Sequence, residues 1–84
     1  MATVEERVKA VTARVLRLDP NAIRPEHRFT SDLGAESIQS VELMASFENE
    51  FGIEMDEDAA LAVQNVGDAV KFIADVCKQQ GVKV

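Results

Sequence analysis

The sequence predicts an all-α fold: a four-helix bundle of three main helices and a short third one, with a long first loop. Three observations predict it. Apolar residues recur at spacings of three and four in the N-terminal, central and C-terminal segments, which puts them on single helix faces. Each of these segments opens on a residue able to cap a helix and closes at a Pro or a Gly. No stretch gives a convincing strand pattern.

The first helix is expected over about Val4 to Leu18. Thr3 and Glu6 form a capping box. Val4, Val8, Val11 and Val15 fall on one face, and Pro20 ends the run. A connection from Asp19 to Glu36 follows, long for a small domain. Phe29 and Leu33 are expected to pin it to the core, and Gly34 to permit the sharp turn that follows. The second helix spans about Ser37 to Phe51 and stops at Gly52. A short third helix begins after Asp56 and ends near Val63. The fourth begins after Asn65, with Asp68 in its first turn, an apolar stripe of Val66, Val70, Ile73 and Cys77, and Gly81 at its end.

The second helix carries two apolar groups. At about 100° per residue, Ser40, Leu43, Met44, Phe47 and Phe51 form the broad stripe that a core requires. Ile38, Val41 and Ala45 fall on a different face, beside Ser37 and Glu48 and bordered by Glu42 and Asn49. Two readings fit this second group: it packs beneath the long loop, or it is a small apolar hot spot with a carboxylate rim.

The 84 residues are expected to form one domain, 1–84, whose 46% hydrophobic content is too high for a disordered chain. Charge is unevenly placed. Residues 29–70 hold ten acids and no Lys or Arg, whereas the rest of the chain carries a net +4 within an overall −6. This disfavours nucleic acid and anionic membrane as partners. It suits either an acidic face kept for solubility or steering toward basic proteins. The longest apolar run, Ala59 to Val63, is far too short to span a membrane, and the N-terminal residues lack the pattern of a signal peptide. A single cysteine cannot form an internal disulfide. The expected location is cytoplasmic.

No catalytic constellation is expected. A nucleophilic serine needs a base and a group that orients it. His27 is the only histidine and sits in the loop. Cys77 lies on an apolar stripe and reads as a buried thiol. Counting from Asp56 as an EF-hand start puts Leu61 where Gly is required and Gly67 where Glu is required, so no metal site is expected. Ser37 stands where a helix presents unpaired N–H groups and the positive end of its dipole, a setting that favours an attached phosphate. Taken by itself, a serine at this position reads first as a plain N-cap.

The segment Asp32-Leu33-Gly34-Ala35-Glu36-Ser37-Ile38 resembles the Asp-Leu-Gly-Ala-Asp-Ser-Leu attachment motif of the acyl carrier proteins. The resemblance continues through Val41-Glu42-Leu43, Phe47-Glu48, Glu50-Phe51-Gly52 and Asp56-Glu57-Asp58, and reaches Phe29 and Val70-Lys71-Phe72-Ile73. It implies an acyl-carrier-like bundle that is itself not an enzyme. Ser37 would receive 4′-phosphopantetheine from coenzyme A through a phosphopantetheinyl transferase and carry acyl groups as thioesters. The resemblance also implies an acyl pocket lined by Phe29, Leu33, Ser40, Met44, Phe47, Met55, Ala60, Val63, Ala69 and Ile73. The implied partner surface comprises Glu36, Ile38, Val41, Glu42, Ala45 and Glu48, facing basic patches on acyl-loading, condensing and acyl-transfer enzymes. The carrier would act as a monomer in fatty-acid, lipid or polyketide chemistry.

The chain departs from the family pattern at Glu36, Ile38, Gln39 and Phe47, where Asp, Leu, an acid and a smaller aliphatic are usual. These departures leave room for a specialised carrier. The Glu at position 36 motivates the alternative, an unmodified acidic adaptor of the same fold that binds basic proteins.

Overall fold

In the computed structural model, which describes residues 2–84, the first helix starts as its capping box dictates. The Glu6 N–H donates to Thr3 Oγ1 at 3.1 Å, and the Thr3 N–H donates to Glu6 Oε1 at 3.0 Å. Hydrogen bonding from the Thr3 backbone N–H, and secondarily from its hydroxyl, holds the Glu6 carboxyl below its ordinary range. Helix α1 (Val4–Leu16) ends two residues before Leu18, the expected end. The cause is Arg17, which adopts the left-handed conformation (φ 57°) while the Leu18 N–H reaches back to the Ala13 carbonyl at 2.9 Å. Pro20 is therefore not the stop signal. It opens a 3₁₀ turn, Pro20–Ala22, in which Asp19 Oδ1 accepts the Asn21 N–H at 2.9 Å.

The remaining helices are α2 (Ser37–Phe51), α3 (Glu57–Ala62) and α4 (Val66–Gln79), and no strand occurs among the described residues. Asp56 and Asn65 cap α3 and α4 through side-chain oxygens, at 2.9 and 2.7 Å. Helix α1 packs against both α2 and α4, and α3 lies against α2. Val8 and Val11 of α1, Leu43, Phe47 and Phe51 of α2, and Val66, Ile73 and Cys77 of α4 meet in the core. Thr12 is buried among them, and its hydroxyl donates to the Val8 carbonyl at 2.8 Å, so its polar atom is satisfied. Burial pushes the Cys77 thiol up, against an opposing pull from Arg7. Helix α3 contributes no fully buried residue and serves as a wall.

The long first loop has little free backbone. Its stretch 25–29 runs alongside residues 64–67. The Phe29 N–H donates to the Gln64 carbonyl, and the Val66 and Gly67 N–H groups donate to the carbonyls of His27 and Pro25, all within 2.8–3.0 Å. The pass is tightest at Gly67, where a Cβ would lie 3.1 Å from the Pro25 oxygen. Arg7 joins the far ends of α1 and α2. Its Nε and Nη2 donate to Oε2 and the carbonyl of Glu50, each at 2.9 Å, and its guanidinium lies 4.3 Å from the centre of the Phe51 ring.

Candidate functional site

Residues 28–35 fold into a knot that delivers the chain to α2. The Arg28 carbonyl accepts from the N–H groups of both Asp32 and Leu33, and the Arg28 N–H donates to Asp32 Oδ2 at 2.7 Å. The N–H groups of Gly34 and Ala35 then reach the carbonyls of Thr30 and Phe29. Each residue of the segment has a distinct part. Asp32 closes the turn, Gly34 takes the left-handed conformation (φ 73°), and Ala35 is small enough to be buried. Phe29 and Ala35 anchor the knot in the core, two residues ahead of Ser37.

Ser37 is the first residue of α2, exposed, with no side-chain hydrogen bond among the described residues. It does not cap the helix. Glu36 occupies the cap position, and its N–H donates to Gln39 Oε1 at 2.9 Å. Gln39 thus has a local task at the helix start. The hydroxyl of Ser37 is left beside the unpaired N–H groups of the first turn, which fits an esterified phosphate in charge and in hydrogen-bonding capacity. Among the described residues, His27 makes no hydrogen bond to it. The only side-chain bond of His27 among the described residues is local, with Nδ1 accepting the Arg24 N–H at 3.1 Å.

The second apolar group on α2 does not pack under the loop. Ile38 is 67% exposed and Val41 48%, and Ala45, Glu36 and Glu42 are exposed with them. Glu48 differs from these. It is half-buried, and its Oε2 accepts the Met55 N–H at 2.8 Å, so its carboxylate is already engaged within the molecule.

On the other side of α2 lies a cavity of about 420 Å³. Of the ten expected pocket residues, Phe29, Ser40, Met44, Phe47, Met55, Ala60, Val63, Ala69 and Ile73 line it. Leu33 does not line it and packs, half-buried, against the core. The knot of the first loop fixes Leu33 there by its own hydrogen bonds, which residue spacing does not reveal. Sequence reading missed Arg28, Thr30, Ser31, Leu43, Leu61, Gln64 and Phe72. Leu43 was legible as a core-stripe residue, whereas Arg28, Thr30 and Ser31 arrive through the loop path. The volume and mainly apolar lining suit a small apolar ligand.

Among the described residues, no helix is long and apolar enough to cross a membrane. The family model described as "Phosphopantetheine attachment site" matches residues 6–73. An acyl carrier protein of Phenylobacterium zucineum is 47% identical over 75 residues, covering 89% of this chain and 95% of that protein. One from Caulobacter vibrioides is 45% identical over 75 residues, covering 89% and 96%. A solved structure from Mycobacterium tuberculosis, given there only provisionally as an acyl carrier protein, superposes with a TM-score of 0.80 at 30% identity, covering 86% of this chain and 96% of its own. With a serine presented free at a helix start and a cavity behind that helix, the chain belongs to the acyl carrier proteins, which are carriers and not enzymes.

Proposed function

We propose that Ser37 is the attachment point of a 4′-phosphopantetheine arm, transferred from coenzyme A by a phosphopantetheinyl transferase. The observation that carries this reading is the exposed, unbonded Ser37 hydroxyl, held at the first position of α2 by a knot anchored on Phe29 and Ala35. When attached, the arm supplies a terminal thiol that holds acyl groups as thioesters. The chain's own residues do the remaining work. The first-turn N–H groups of α2 favour the phosphate charge. The apolar stripe of Ile38, Val41 and Ala45, with Glu36 and Glu42 at its rim, forms the surface offered to basic patches on acyl-loading, condensing and acyl-transfer enzymes. The cavity lined by Met44, Phe47, Met55, Ala60, Val63 and Ile73 shelters the acyl chain from water. Phe47 narrows it where the family has a smaller aliphatic, which suits a specialised carrier in cytoplasmic fatty-acid, lipid or polyketide chemistry.

The test is intact mass after incubation with coenzyme A, Mg²⁺ and a broad-specificity transferase, with Ser37→Ala alongside. The expected result is a gain of one phosphopantetheine on the parent chain only. A folded parent chain that gains nothing from several transferases refutes the reading and leaves the acidic adaptor in its place.

A further inference from the structure

The four residues that follow α2, Gly52 to Met55, lead to the cavity wall at Met55, and each of their four N–H groups is accounted for. The Glu48 carbonyl accepts the first two, from Gly52 and Ile53. Oε1 of Gln80, from beyond the end of α4, accepts the Glu54 N–H at 3.0 Å, and Gln80 Nε2 donates to the Glu54 carbonyl at 2.6 Å. The Glu48 carboxylate accepts the last, from Met55, at 2.8 Å. Any residue at position 48 supplies a carbonyl. Only these two side chains supply the other bonds, and they reach the segment from two different helical regions. Ile53 is buried beneath the segment, and Met55 forms part of the cavity wall.

We propose that Glu48 and Gln80 are positioning residues that clamp segment 52–55 and thereby hold Met55 as a fixed wall of the cavity. Glu48 is then a strut within the carrier and not a charge reserved for partners. Its carboxylate is half-buried and bonded, unlike the exposed Glu36 and Glu42. Each of these bonds is of modest net worth, enough to bias the position of a short surface segment. Without the clamp, Met55 is free to swing outward and the cavity accepts bulkier apolar guests. The importance of this for cargo rests on the cavity being the acyl shelter proposed above.

The test uses the unmodified chain, so its outcome is separate from that of the loading experiment. Amide hydrogen exchange and binding of the neutral dye N-phenyl-1-naphthylamine are measured for wild type, Glu48→Ala, Glu48→Gln and Gln80→Ala. In Glu48→Ala, Met55 amide exchange is expected to rise about tenfold or more while Val11 and Ile73 keep their protection. Gln80→Ala acts the same way on the Glu54 amide. Dye binding is expected to tighten severalfold in both alanine variants, and Glu48→Gln, which keeps an accepting oxygen, stays near wild type. Unchanged Met55 exchange, equal acceleration of the core amides, or dye affinity indifferent to all three substitutions would each overturn the proposal.

Discussion

Ser37 is defined as much by what surrounds it as by its hydroxyl. The helix-capping role that its position suggests belongs to the residue before it, and Gln39 reaches back to the Glu36 N–H. The hydroxyl therefore contributes no bond that the fold depends on. Ser37→Ala should leave stability within about 0.5 kcal/mol of the parent in urea unfolding, while removing the mass gain on loading. A larger loss would mean that the hydroxyl serves the helix. Sequence alone left cap and attachment point open, because both want a serine at a helix start. The neighbouring Glu36 takes the cap position through its backbone conformation, which residue type does not encode. Glu48 teaches the same lesson with the opposite outcome. On a helical wheel it lies beside the exposed stripe, yet its carboxylate turns to a backbone amide seven residues on.

The elements were legible where local chemistry fixes them. Thr3 with Glu6, Asp56 and Asn65 all cap as their types imply, and Gly52 takes the left-handed turn after α2. They were not legible where the backbone accepts a cost. Arg17 ends α1 in a conformation that disfavours any side chain with a Cβ, so no glycine marks the stop. Arg17→Gly should stabilise the chain by about 0.5–1 kcal/mol, read as a rise in the denaturant midpoint at constant slope. The first loop is similarly opaque. Its attachment to residues 64–67 is made by backbone groups and carries no residue-type signature apart from Gly67. On α2, the exposed Glu42 and the engaged Glu48 separate by behaviour. Glu42→Lys should slow association with a basic partner enzyme several-fold at low salt, with the difference shrinking near physiological ionic strength, as stopped-flow kinetics would read. Equal rates in dilute buffer would remove Glu42 from the docking surface.

Across the whole molecule, the acids are concentrated between residues 29 and 70, while every Lys and Arg lies before residue 29 or after residue 70. That division was plain in the sequence. How the two parts are joined was not. Arg7 fastens α1 to the end of α2 by a two-pronged bond to Glu50 and a stacked Phe51, and Cys77 is sealed within reach of its field. Burial keeps the Cys77 proton in place where the unfolded chain would release it. The stability this gives is whole below the ordinary thiol range and is lost as pH rises through the raised folded value. Unfolding in urea between about pH 8 and pH 10 should therefore show a declining stability that Cys77→Ala flattens, although the smaller side chain lowers the starting value. An identical slope in the variant would assign the decline to other groups. The 0% exposure of Cys77 has one more consequence. Thiol reagents that act only at the surface cannot reach this sulfur while the chain is folded. If the arm is present, its terminal sulfur is the only one they can titrate, so the native chain counts as zero before modification and one after it. Adding denaturant raises each count by one. A colorimetric thiol assay on the folded protein can thus follow arm attachment and acyl loading in real time, with no need to mutate the chain's own cysteine.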